Sequence, residues 1–197
     1  IRIQPASSSL PIGVHQPFKA FGKFTDYEVT HEEVDVTEAA DWKVADGAVA
    51  SVSNQSPGRG LVESLKIGAT KVVATMNGWG GGGNALITGE AALTVTDAAL
   101  LGITLLPGEF PCGECGTLPA GLSRQFKAMG SYTGIADALD ITQDVTWTTA
   151  PSDVAIASNL YKGLVTAVKM GKSTIIAIDP RTNTRGEYRL TVIAPEI

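Results

Sequence analysis

Three local patterns carry residue types able to do chemistry. Cys112-Gly113-Glu114-Cys115 sets two thiols three residues apart. That spacing suits a local disulfide, two free thiols, or part of a metal or redox site. Structural zinc takes four ligands, and His15 and His31 both lie far upstream of the pair. Residues 78–83 read Gly-Trp-Gly-Gly-Gly-Gly and so contain G-x-G-x-x-G literally. A phosphate cradle of that form follows a parallel strand and opens a helix. Here Asn84-Ala85-Leu86-Ile87-Thr88 leads toward another strand, and the pattern reads as a hairpin tip. Trp79 on that tip has two readings: a ring presented to sugar or protein, or a ring folded back onto the protein. Residues 26–41 hold seven acids (Asp26, Glu28, Glu32, Glu33, Asp35, Glu38 and Asp41) and no Lys or Arg. Oxygen clusters can bind calcium, but the spacing matches no calcium loop, so a solvated acidic loop is the default and no metal is assigned. Asp137, Asp140 and Asp144 pose the same question further on. The candidate ligand-binding set is Trp79 with Asp26, Glu28, Glu32, Glu33 and Asp35. An aromatic beside carboxylates suits sugar stacking with hydroxyl hydrogen bonds, or a basic protein partner.

No catalytic constellation accompanies these patterns. Both histidines fall in the first half, and neither G-x-S-x-G nor H-E-x-x-H occurs. Carboxylates are plentiful, but nothing selects two of them for acid–base work. The chain is therefore expected to be non-enzymatic and to need no cofactor. Asn54-Gln55-Ser56 is a formal glycosylation sequon. The net charge of −5 divides into −4 over residues 1–97 and −1 over residues 98–197. Neither half offers a basic stripe, which argues against nucleic acid and anionic membrane surfaces as partners. No stretch approaches the roughly 18 apolar residues that span a bilayer, so membrane insertion is not expected.

The elements that hold these patterns are set by an internal repeat. Phe18-Lys19-Ala20-Phe21-Gly22-Lys23-Phe24 reads against Phe126-Lys127-Ala128-Met129-Gly130-Ser131-Tyr132 at an offset of 108. Leu10-Pro11-Ile12-Gly13 matches Leu118-Pro119-Ala120-Gly121 at the same offset. Trp42 and Val49-Ala50 match Trp147 and Val154-Ala155 at 105. Gly60-Leu61-Val62 matches Gly163-Leu164-Val165 at 103, and Leu93-Thr94-Val95 matches Leu190-Thr191-Val192 at 97. Offsets change only between blocks, as when two copies of one fold keep their strands and vary their loops. The blocks alternate apolar and polar residues or are short and β-branched, the signature of strands. About seven short strands per copy predict an antiparallel sandwich, with Trp42 and Trp147 buried on the third strand. The stretch between Ile103 and Leu118 is eight residues longer than its counterpart between Ile3 and Leu10, so both cysteines sit in an insertion. With copies at 1–97 and 98–197, the short junction at residues 97–99 predicts limited bending.

These features resemble the bacterial immunoglobulin-like domain, group-two type. The carrying residues are Gln125-Phe126-Lys127-Ala128-x-Gly130-x-Tyr132, Asp140-x-Thr142, Val145-Thr146-Trp147 and Val154-Ala155, then Gly163-x-Val165-Thr166-Ala167, Gly171-x-Ser173-Thr174-Ile175 and Leu190-Thr191-Val192. Copy one departs at Ala40-Asp41, at Glu63-Ser64 and in its longer final hairpin. The resemblance implies an all-β chain of two immunoglobulin-like antiparallel sandwiches in tandem. It also implies a structural or adhesive role, as spacer or binding unit, in an extracellular surface or secreted protein of the intimin and invasin kind. Neighbouring domains of a longer parent chain and a surface protein or carbohydrate are the implied partners. A phage tail or capsid component and an accessory segment of a secreted polysaccharide-active enzyme are the alternatives. An exported setting favours a disulfide between Cys112 and Cys115.

Overall fold

The computed structural model describes residues 1–26, 29–30, 32–78, 85–108 and 116–195, without the side chains of residues 25, 26, 29 and 30. The chain divides into two compact units, residues 1–98 and 99–197. Trp79, Glu28, Cys112 and Cys115 lie outside the described residues.

Unit 1 comprises β1 (Arg2–Gln4), β2 (Ser7–Pro11), β3 (His15–Pro17), β4 (Lys19–Gly22), β5 (Thr25–Asp26), β6 (Val29–Thr30), β7 (Val34–Asp35), β8 (Asp41–Val44), β9 (Ala50–Val52), β10 (Leu61–Ser64), β11 (Gly68–Asn77) and β12 (Leu86–Thr96). One layer runs β2-β12-β11-β8; the other is made of β1-β4-β7 and β3-β10-β9. Unit 2 comprises β13 (Leu100–Pro107), β14 (Thr117–Pro119), β15 (Ser123–Tyr132), β16 (Leu139–Asp140), β17 (Thr146–Ala150), β18 (Ala155–Ala157), β19 (Leu164–Ala167), β20 (Gly171–Ile178) and β21 (Arg185–Ile193). Its layers run β14-β21-β20-β17 and β13-β15-β19-β18, with β16 also on β15. The two units share one topology. β15 corresponds to β3 and β4 together, and the short hairpin β5–β6 is an addition of unit 1.

The expected sandwich is present in each unit, antiparallel except at one place. The opening segment starts in one sheet, then crosses to the other, where β2 lies parallel to β12 and β14 parallel to β21. That crossing explains why β3 and β4 are separate strands where the sequence predicts one. β1 leaves its sheet after Gln4, whose partner is Lys19, so Phe18 has no neighbour on that side. β13 stays longer, and Pro107 still faces Phe126. The register also corrects the repeat alignment. Ile3 faces Ala20 and Leu105 faces Ala128, so Leu105, not Ile103, is the counterpart of Ile3. Ile3 to Leu10 is seven residues and Leu105 to Leu118 thirteen, which makes the cysteine-bearing insertion six residues rather than eight. It connects β13 to β14, at the point where the chain changes sheets.

Strand alternation builds the cores. In unit 1, Leu10, Trp42, Val72, Leu93 and Val95 meet Ile3, Phe18, Ala20 and Val62 from the facing sheet. In unit 2, Leu118, Trp147, Ile175, Leu190 and Val192 meet Leu105, Phe126, Ala128 and Val165. Each fully buried Val, Leu, Ile or Phe removes apolar surface worth about 1.5–3 kcal/mol. Phe126 and Tyr188 meet edge to face at 5.2 Å and join the two sheets of unit 2. Gly60 and Gly163 take φ of +77° and +82°, and a Cβ at either would strike the carbonyl oxygen of Phe18 or Phe126. That is why glycine stands at both positions of the repeat.

Candidate functional site

The polar side chains that recur in both units are occupied in holding the strands. Trp42 and Trp147 sit on β8 and β17, edge strands of their sheets, with 3% and 1% of their surface exposed. Their indole N–H groups donate to the carbonyl oxygens of Thr37 at 3.0 Å and Thr142 at 3.1 Å. An edge strand leaves backbone groups without a ladder partner. At the tryptophans an asparagine side chain stands in for the missing strand. Asn54 Oδ1 accepts the Trp42 N–H at 2.8 Å, and its Nδ2 donates to the Trp42 carbonyl at 2.7 Å. Asn159 does the same for Trp147, at 2.8 Å in both directions. The sequence reading missed this clamp. Its signal was an Asn twelve residues after each Trp. Asn54 is also the sequon asparagine, and the amide nitrogen a glycan would occupy is the one bonded to Trp42.

Asp35 belongs to a second recurring device. Its Oδ1 accepts the Thr37 N–H at 3.0 Å, while Thr37 Oγ1 accepts the Ala20 N–H on β4 at 3.0 Å. Asp140, Thr142 and Ala128 repeat the arrangement at 3.1 and 2.9 Å. The bond from the Thr37 hydroxyl, then that from its N–H, holds the Asp35 carboxyl below its ordinary value; Lys19 at 3.7 Å adds a smaller pull. Asp35 and Asp140 therefore tie the second-to-third-strand connection to the neighbouring sheet.

Copy one's departure at Glu63-Ser64 has a structural reason. Ser64 is fully buried. Its hydroxyl accepts the Val14 N–H at 3.0 Å and donates to the carbonyls of Pro11, at 2.5 Å, and Val14, at 3.0 Å. Glu63 faces His15 across the ladder, 3.9 Å apart. In unit 2 the same cross-strand position holds Ser123 and Thr166, whose hydroxyls are 2.8 Å apart.

Of the proposed ligand set, the side chains of Glu32, Glu33 and Asp35 are among those described. Arg2 on β1 grips the Glu33 carboxylate through Nε and Nη2 and lies over the Phe21 ring, 5.0 Å from its centre. The hydrogen bond from Arg2 lowers the Glu33 pKa, and that of Arg2 rises in return. Glu32 is exposed on the same stretch. Asp26 lies on β5 in the hairpin with β6. Among the described residues, no group of three or more His, Cys, Asp or Glu could hold a metal ion. The hairpin that carries Trp79 runs two residue pairs beyond its counterpart, through Met76–Ile87 and Asn77–Leu86.

In the corresponding hairpin of unit 2, between β20 and β21, buried Asp179 closes the turn. Its carboxylate accepts from the Arg181 N–H at 3.1 Å and Nε at 3.3 Å, and from the Thr182 hydroxyl at 2.9 Å. The Tyr132 hydroxyl is buried with no hydrogen-bond partner among the described residues. Burial pushes its pKa up to about 12.

Two layers joined by a sheet-switching first strand, with a buried Trp on the third strand, define an immunoglobulin-like sandwich in each unit. Residues 116–187, within the second unit, match the family model of the bacterial Ig-like domain, group 2. Over 192 residues, 97% of its length, the chain is 30% identical to "Ice-binding protein 1" of Shewanella frigidimarina. It spans 19% of that protein's length. Among solved structures, domains 5–6 of the S-layer protein SbsC align with 98% of this chain and 96% of theirs, at 18% identity and a TM-score of 0.45. A SusE-like surface-located polysaccharide-binding protein of Bacteroides thetaiotaomicron aligns with 94% of this chain and 32% of its own, at 9% identity and a TM-score of 0.29.

Proposed function

We propose that this chain is a non-catalytic pair of immunoglobulin-like modules in an extracellular bacterial surface or secreted protein, where it spaces the parts of a longer chain. One observation carries the reading. The polar side chains that recur at matched positions, Asn54 and Asn159, Asp35 and Asp140, Thr37 and Thr142, are bonded to backbone. A unit duplicated with its scaffold intact is suited to setting a distance. The small share of the 30% identical relative that the chain spans supports a place within a larger architecture. Binding ice is the named property of that relative, and in the present reading the two modules do not touch ice themselves.

The test is substitution. In a parent protein, an unrelated Ig-like pair of equal length should replace residues 1–197 without loss of display or activity, whereas deletion of the pair should impair it. Loss of function on the length-matched swap would contradict a spacer. Thermal hysteresis or ice shaping by the isolated chain would contradict it as well. The binding-unit form of the reading places a ligand at Trp79 and the acidic stretch around Glu32. It requires Trp79→Ala to weaken binding of a sugar or basic protein partner. An exported location favours a disulfide between Cys112 and Cys115, in which case a thiol assay on denatured, unreduced protein should find none free.

A further inference from the structure

Unit 2 carries on the outer face of its β14-β21-β20-β17 sheet a feature that unit 1 lacks. Residues of one face recur at every second position of a strand. Lys172 and Thr174 point outward from β20, Arg189 and Thr191 from β21, between the buried Ser173 and Leu190. Lys172 stands opposite Thr191, and Thr174 opposite Arg189. The four make a rectangle with cations on one diagonal and hydroxyls on the other. Diagonal neighbours on adjacent antiparallel strands lie about 7–8 Å apart, within reach of two long side chains. Thr117 on β14 extends the row beyond Thr191. The rectangle lines an open cavity of about 360 Å³.

Lys172 and Arg189 are exposed, and among the described residues neither has a carboxylate partner. The acid on the same face, Glu187, is paired with Arg185. The corresponding rectangle of unit 1 is Ala69, Lys71, Ala92 and Thr94, and its one cation is neutralised by Glu90 at 2.7 Å. So, among the described residues, a chain of net charge −5 presents two uncompensated cations flanked by hydroxyls at one place and not at its duplicate.

We propose that this rectangle binds an oxyanion, carboxylate or sulfate, carried on an acidic polysaccharide. The Arg189 guanidinium offers a planar fork that meets two oxyanion oxygens at once. Lys172 adds a mobile point charge. Thr174 and Thr191 can hydrogen-bond the sugar hydroxyls beside the charged group. A single solvated ion pair contributes little, so the occupant is a polymer, whose closely spaced anions can meet Lys172 and Arg189 together and keep anions concentrated at the site. This goes beyond the spacer role and can fail without it.

The experiment uses the full chain in affinity electrophoresis at low and moderate salt, with alginate, dextran sulfate and neutral dextran as immobilised polymers and inorganic sulfate as competitor. Wild type is compared with a Lys172→Ala/Arg189→Ala double variant and with Lys71→Ala; unchanged melting temperatures establish that all three are folded. Wild type and Lys71→Ala are expected to be retarded by an acidic polymer and not by dextran, with salt weakening the effect. Alginate as the stronger retardant names the carboxylate, dextran sulfate the sulfate. The double variant is expected to lose at least tenfold in apparent affinity. Equal retardation of the double variant, or no retardation of wild type by either acidic polymer at low salt, would overturn the proposal, whereas displacement by sulfate beyond that by chloride of equal ionic strength would support an oxyanion site. Loss of self-association in the double variant with polymer binding intact would also overturn it, and would make the patch a contact between copies of this chain.

Discussion

The Asn159 side chain bonds both backbone groups of Trp147, accepting its N–H and donating to its carbonyl at 2.8 Å each. Asn54 and Trp42 stand in the same relationship. The clamp fixes the edge strand that carries the largest core side chain. Removing it leaves two backbone groups without partners, and a part-buried group left unpaired costs about 1–3 kcal/mol. Asn159→Ala is expected to destabilise unit 2 by about 2 kcal/mol, and Asn54→Ala to do the same in unit 1. Asn159→Asp should cost nearly as much, since a carboxylate keeps the acceptor but cannot donate to the Trp147 carbonyl. Denaturant unfolding of the three variants checks this; an Asn→Asp change without effect would show that the donor half contributes nothing.

Trp147→Ala opens a cavity in the unit 2 core next to Ala177 on the neighbouring strand and strands the Thr142 carbonyl that the indole satisfied. Large-to-small changes of this size cost about 3–5 kcal/mol. Trp42→Ala should cost a similar amount. Because the chain forms two units, each substitution should lower one thermal transition and leave the other in place, which calorimetry can resolve.

Strand periodicity made the repeat, the boundaries of most strands and the buried tryptophans legible, because alternation over half-buried sheets is written directly in the order of residues. Asn54 and Asn159 escaped because an Asn after a strand reads as an ordinary turn residue; only the folded chain brings it back to a tryptophan twelve positions earlier. Ser64 looked like a loss of the usual Ala and is instead a satisfied buried hydroxyl. Asp35 was legible as an acid among acids, but its Thr37 bonds depend on the path of the connection. The split at Phe18 followed from where β1 leaves its sheet, a matter of three-dimensional topology.

Acid should weaken unit 1 partly through Asp35. Its folded pKa lies below the unfolded value, so its contribution is present above about pH 4 and is lost as pH falls through the lowered folded value. Asp35→Asn removes that dependence. The melting temperature of the variant should fall less steeply than wild type between about pH 5 and pH 2. Parallel curves would show that the carboxylate gains nothing from Thr37.

Base should weaken unit 2 through Tyr132. The folded hydroxyl titrates at about 12, against about 10 in the unfolded chain. Stability from this group is intact below about pH 10 and declines as pH rises toward the folded value. Tyr132→Phe should abolish that decline. At neutral pH it should change stability by no more than about 1 kcal/mol, because the buried hydroxyl has at most a weak interaction with the nearby Arg181. Larger destabilisation by this variant would show that the hydroxyl is bonded in solution.

The central claim, that the chain is a pair of separately folded mechanical spacers, is tested most directly by pulling it from its ends. Two unfolding events are expected, each releasing about 98 residues of chain, or roughly 320–350 Å extended at 3.3–3.6 Å per residue, less the folded end-to-end distance. Trp147→Ala should lower the force of one event and leave the other unchanged. A single event releasing the whole length, or weakening of both events by that one substitution, would contradict the account.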